Sequence, residues 1–126
     1  MARLLGCATA AVQGDRVRAA MELAQRYRAV AVLKGNGSII ASPDGSWMIN
    51  ASGNPGMASG GMGDVLTGMI ASLLAQGADA RTAAGAGVWL HGAAADALAH
   101  TGSGPVGITA GELIDAARTL LNASIY

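Results

Sequence analysis

Aromatic side chains make up only 3% of this 126-residue chain. That scarcity argues against the stacking platforms that hold single-stranded nucleic acids. Charge is scarce too, at 13% of residues, against about 25% in ordinary soluble domains. Lys+Arg and Asp+Glu are 8 each, so the net charge is zero. No basic stripe exists to attract a phosphate backbone or an anionic membrane, so neither is expected as a partner. The lone cysteine, Cys7, excludes an internal disulfide. It fits a reducing cytoplasm and reads as a small apolar residue. The most apolar run, Val65 to Ala75, contains Gly68 and falls short of the roughly 20 residues of a membrane span. Arg3 is followed by no apolar stretch of signal-peptide length.

Hydrophobic residues reach 52%, with alanine the commonest. A single domain of this size needs more charge to cover its surface. Part of that surface is therefore expected to lie under more chain or under sister subunits, in a homo-oligomer such as a tetramer or against an upstream half-domain.

Helical spacing of Val17, Ala20, Met21 and Ala24 predicts a helix over Gly14 to Arg28. Ala29 to Leu33 reads as a buried strand, and the succession helix then strand is the rhythm of an α/β sheet. Ser38–Ala41 and Trp47–Asn50 flank SPDGS and predict a hairpin, because Pro43 presets φ and Gly45 accepts positive φ. Val65, Leu66, Met69, Ile70, Leu73 and Leu74 form one broad apolar helical face, predicting a buried helix ended by Gly77. Asp79 is placed to cap the next helix, which runs to about His100 and is rich in small residues that allow close approach. Thr109 and Glu112 form a capping box for a last helix carrying Leu113, Ile114, Ala117, Leu120 and Leu121. These elements are too few for a covered parallel sheet, so the chain reads as one incomplete unit.

Two segments could carry chemistry. In residues 53–68, GNPGMASGGMGDVLTG, Gly60, Gly61, Met62 and Gly63 lead into a helix. Unpaired N–H groups and the helix dipole favour an anion there, and glycine lets a bulky one approach. Asp64, in the first turn, is either a helix-stabilising acid or a base that takes the proton of a hydroxyl attacking phosphorus. The second segment is Lys34, Gly35, Asn36, Gly37 and Ser38, directly after the buried strand. Lys34 offers a point charge, the glycines free N–H groups and Ser38 a hydroxyl. The bland reading is a strand-end turn with a solvated lysine, and neither the Walker nor the GxGxxG pattern is present. His91 and His100 lie nine apart on an alanine-rich helix with no cysteine or carboxylate at ligand spacing, so no metal site is expected there. Asp96 reads as helix surface or subunit contact. Ser59 lacks the context of a nucleophile elbow, and Met57, Met62 and Met69 read as gap-filling core.

GNPGMASGGMGDVLTG followed by HGAAADALA at 91–99 closely resembles the ADP/ATP-dependent NAD(P)H-hydrate dehydratases. The glycine-aspartate motif is shared across the ribokinase-like superfamily, whereas NPGMASGGMGDVL is more specific to this family. The resemblance implies an α/β fold, a ribokinase-like Rossmann-type three-layer sandwich, with this chain as the C-terminal portion of the domain. A His-Pro-Gly segment of the longer family domain normally stands just before the equivalent of Arg3-Leu4-Leu5. The implied function is metabolite repair, in which ADP or ATP with Mg2+ drives dehydration of hydrated NADH or NADPH. Residues 34–38 match the family's nucleotide-contacting KGxG[TS] segment. Gly63 matches a nucleotide-contacting glycine, and Asp64 the substrate-contacting acid and base. Asn36 and Ser38 stand where alanine and threonine are frequent. A small-molecule kinase of the same superfamily, acting on a hydroxymethylpyrimidine or thiazole alcohol, would use the same loop and base. A non-catalytic nucleotide-binding fragment is the third reading.

Overall fold

The computed structural model describes residues 1–123, in two compact units, Met1–Asn50 and the chain from Ala51 onward. The first unit opens with two short helices, α1 (Ala2–Leu5) and α2 (Thr9–Gly14). Helix α3 (Arg16–Tyr27) follows. The expected single start at Gly14 is thus corrected. Asp15 breaks the chain with φ −147°, and its carboxylate accepts the Arg18 N–H at 3.0 Å as the cap of α3. Cys7 is a free, exposed cysteine.

Strands β1 (Ala31–Leu33), β2 (Ser38–Ala41) and β3 (Trp47–Asn50) form a sheet in the order β1-β2-β3, antiparallel throughout. The parallel arrangement suggested by the helix-strand rhythm is not found among the described residues. The links explain why, since a parallel connection needs a crossover of a dozen or more residues and these strands are joined by tight turns. Register pairs Ala31 with Ala41 and Leu33 with Ile39, which puts these four on one face. They pack with Val12, Ala19, Ala20 and Ala24 into a core, flanked by Val17 and Met21. Alanines on α3 let the helix lie close to the strands, and burying Leu33 and Ile39 contributes about 1.5–3 kcal/mol each. The SPDGS hairpin forms as predicted. Gly45 has φ 88°, its N–H donates to the Ser42 carbonyl at 3.1 Å, and Asp44 accepts the Ser46 N–H at 2.9 Å.

The second unit packs α4 (Met62–Ala75), α5 (Ala80–His100) and α6 (Ala110–Ala123) around Met62, Leu90, Ala94, Ala95, Ile108, Leu113 and Ala117. Met57 and Met69 pack against this core, as gap-filling methionines should. Helix α4 ends as predicted, with Gly77 at φ 93° donating to the Leu74 carbonyl at 3.0 Å. Its broad apolar face is not buried throughout. Only Met62 and Leu66 are, whereas Leu74 is 44% exposed. Both predicted caps are present. Asp79 accepts the N–H groups of Arg81 and Thr82, and Glu112 accepts the Thr109 N–H at 2.8 Å. No helix among the described residues is long and apolar enough to cross a membrane.

Candidate functional site

In the second unit, α5 is the platform that shapes the glycine-rich segment. Ser52 donates its hydroxyl to the Trp89 carbonyl at 2.9 Å. Gly92 lets this happen, because a Cβ there would strike the main chain of Ser52. Asp96 takes the Gly53 N–H at 2.8 Å on one oxygen and the Asn54 amide at 3.1 Å on the other. Asn54 in turn accepts the Gly56 N–H at 3.0 Å and caps a 3-10 turn, Pro55–Met57. The expectation that Asp96 is surface or subunit contact is therefore corrected: it is half-buried and organises this turn. The turn walls a cleft of about 380 Å³ whose other side is residues 105–109, with Ser59 at its edge. At Gly56 the two walls come so close that a Cβ would collide with the Pro105 carbonyl.

Further along, His91 is buried and its Nε2–H donates to the Met62 carbonyl at 2.9 Å, fixing the start of α4 on α5. Gly61 caps α4 with φ 82° and no side-chain cap. The helix begins abruptly, since the N–H groups of Asp64 and Val65 both reach the Gly61 carbonyl, at 3.0 and 3.1 Å. Among the described residues no acceptor meets the N–H groups of Met62 and Gly63. Unpaired donors and the dipole of a 14-residue helix leave partial positive charge at this end. A Cβ on Gly60 would meet nothing within 4 Å, so open space lies at the mouth of this end. Asp64 is exposed in the first turn. Gly60, Gly61, Met62, Gly63 and Asp64 are thus brought together at one helix end, just beyond the residues lining the cleft.

Lys34 to Ser38 lie in the first unit. Lys34 to Gly37 link β1 and β2, making the segment a hairpin turn rather than a crossover. Gly35 and Gly37 adopt φ 147° and 65°. Ser38 is turned inward, its hydroxyl accepting the Gly35 N–H at 3.3 Å and donating to the Gly35 carbonyl at 3.2 Å. Lys34 is exposed. The Arg16 guanidinium reaches across from α3 to the carbonyls of Asn36 (2.6 Å), Lys34 (3.3 Å) and Leu33 (3.4 Å).

Arg16, His91 and Asp96 each act on segments 17 to 43 positions away, and nothing in their local sequence announces those partners. Asp96 carried a faint signal as a lone carboxylate in an alanine-rich helix. Among the described residues no three acids, histidines or cysteines gather into a metal-binding group.

The family model described as NAD(P)H-hydrate dehydratase (Carb_kinase) matches residues 1–118. The ADP-dependent (S)-NAD(P)H-hydrate dehydratase of Neisseria meningitidis serogroup B is 50% identical over 121 residues, covering 96% of this chain and 41% of that protein. The bifunctional NAD(P)H-hydrate repair enzyme Nnr of Escherichia coli K12 is 49% identical over 125 residues, covering 98% of this chain and 24% of that protein. A crystal structure of the ADP/ATP-dependent NAD(P)H-hydrate dehydratase from Bacillus subtilis, co-crystallized with ATP/Mg2+, superimposes with a TM-score of 0.83. It is 38% identical, and the match covers 89% of this chain and 40% of that one. The chain spans less than half the length of each of these relatives. With nearly its whole length matched, the chain belongs to the NAD(P)H-hydrate dehydratase family.

Proposed function

We propose that this chain carries the phosphate-binding end and the catalytic base of an ADP- or ATP-dependent NAD(P)H-hydrate dehydratase, within a ribokinase-like three-layer sandwich of which it is the C-terminal portion. The observation that carries the reading is the α4 terminus, where orphan N–H groups, an αL glycine and an exposed carboxylate share one helix end. The names of the Neisseria and Bacillus relatives agree with it.

In this reading the N–H groups of Met62 and Gly63 hold a phosphate of the adenine nucleotide, and Gly60 and Gly61 let it approach. Lys34 to Ser38 contact the nucleotide as well, Lys34 as a point charge against an anionic group. Asp64 contacts the hydrated nicotinamide. Its carboxylate accepts the proton of the hydrate hydroxyl as that oxygen takes the terminal phosphoryl group of ATP or ADP, which leaves as ADP or AMP. Departure of the oxygen as phosphate, with a proton from the ring, restores NADH or NADPH. Mg2+, held chiefly by phosphate oxygens and water, would neutralise charge on the phosphates.

The test is recovery of NADH from its hydrate, followed spectrophotometrically with ADP and with ATP. Phosphorylation of a hydroxymethylpyrimidine or thiazole alcohol without NADH recovery would replace this reading with a kinase. Nucleotide binding without either reaction, until the rest of the domain is supplied, would make this chain a binding fragment.

A further inference from the structure

Three main-chain carbonyls of one hairpin turn share a single side chain. Arg16, the first residue of α3, bonds the carbonyls of Leu33, Lys34 and Asn36 with its two terminal nitrogens. Gly35 makes room for it, because a Cβ there would stand 2.8 Å from an Arg16 nitrogen. These acceptors are neutral carbonyls, so the guanidinium keeps its charge beside the turn. Its Nε is buried without a hydrogen-bond partner, which marks a side chain placed for its two terminal nitrogens rather than for its own satisfaction. A planar fork can hold several oxygens in one arrangement, whereas an ammonium cannot.

We infer that Arg16 is a positioning residue for nucleotide binding: it holds the carbonyls of Leu33, Lys34 and Asn36 toward α3, so that the remaining donors of the turn and Lys34 are presented to an anionic ligand. The inference rests on the proposed role of Lys34 to Ser38 as nucleotide contacts. Arg16 touches no ligand in this scheme and acts through the turn.

The test compares wild type, Arg16→Met, Arg16→Lys and Lys34→Ala of the 126-residue chain, measuring ADP affinity by calorimetry and amide hydrogen exchange by NMR. Arg16→Met should weaken ADP binding about tenfold or more, the scale of a lost hydrogen bond to a charged group. Exchange should quicken in residues 35–38 and stay unchanged in α4 to α6. Arg16→Lys, which keeps the charge and loses the fork, should not restore affinity. Lys34→Ala should weaken ADP binding with exchange in the turn unchanged. If Lys34→Ala weakens binding and Arg16→Met does not, the inference fails and the functional reading stands. If wild type does not bind ADP, or neither variant changes its affinity, the assignment of this turn to the nucleotide fails and takes the inference with it. Full affinity in Arg16→Lys would show that charge suffices, and faster exchange throughout the chain in Arg16→Met would show a general folding role; either overturns positioning by the fork.

Discussion

Asp64 and Asp96 are two carboxylates of one unit with different surroundings. Asp64 stands exposed in the first turn of α4, whereas Asp96 is half-buried and spends both oxygens on the turn at 53–54. Replacing Asp64 by Asn keeps size and polarity but removes the proton acceptor. Turnover should fall about 10²–10⁴-fold while nucleotide affinity is largely kept. Kinetics and calorimetry on the same variant check both halves, and activity retained within about tenfold would show that Asp64 is not the base. Asp96→Ala should instead act on stability. It strands the Gly53 N–H and the Asn54 amide, at a cost of about 1–3 kcal/mol, measurable as a lower denaturant midpoint. The place of Asp64 in a first helical turn is legible because its signal is local: glycines, then an acid, then a helical pattern. The roles of Asp96 and Arg16 are not, because their partners arrive only when distant segments fold together.

At the scale of elements, glycines separate into those that close packing requires and those it does not. Gly92 of α5 abuts the main chain of Ser52, which cannot move aside as a flexible side chain would. Gly92→Ala should therefore destabilise by about 1–3 kcal/mol. Gly68 lies inside α4 with nothing within 4 Å of a built Cβ, so Gly68→Ala should stabilise by up to about 1 kcal/mol. Thermal melts of the two variants should move in opposite directions. The helix caps predict a response to acid. The Thr82 hydroxyl, followed by its N–H, holds Asp79 below the ordinary carboxylate value, and the Thr109 hydroxyl and N–H do the same for Glu112. Groups depressed in the folded state contribute stability that is complete above their unfolded value and is lost as pH falls through the folded one. Helical circular dichroism of α5 and α6 should thus hold at neutral pH and begin to fall near pH 4. Asp79→Asn with Glu112→Gln should flatten that response. Both caps were legible from spacing alone, as was the 38–50 hairpin with its bounds. The antiparallel pairing of β1 with β2 departs from the parallel sheet that the helix-then-strand rhythm suggests, because the short link after Leu33 admits only a hairpin.

For the molecule as a whole, low charge and partial coverage of its relatives point the same way. Trp47, Ile49, Trp89 and Ile114 are large apolar residues left 45–56% exposed, and the chain spans 41% of the Neisseria relative. The low charge predicts a surface covered by more chain or by other subunits, and these residues mark where such cover would gain most. The central claim is that this chain supplies the phosphate end and the base of a hydrate dehydratase. Its most direct test places the chain in the Neisseria meningitidis enzyme in exchange for the matching segment, then follows NADH recovery from its hydrate with ADP or ATP. The account predicts recovery that disappears with Asp64→Asn while nucleotide binding persists. A folded, nucleotide-binding chimera that recovers no NADH, or one whose Asp64→Asn variant remains active, would contradict it.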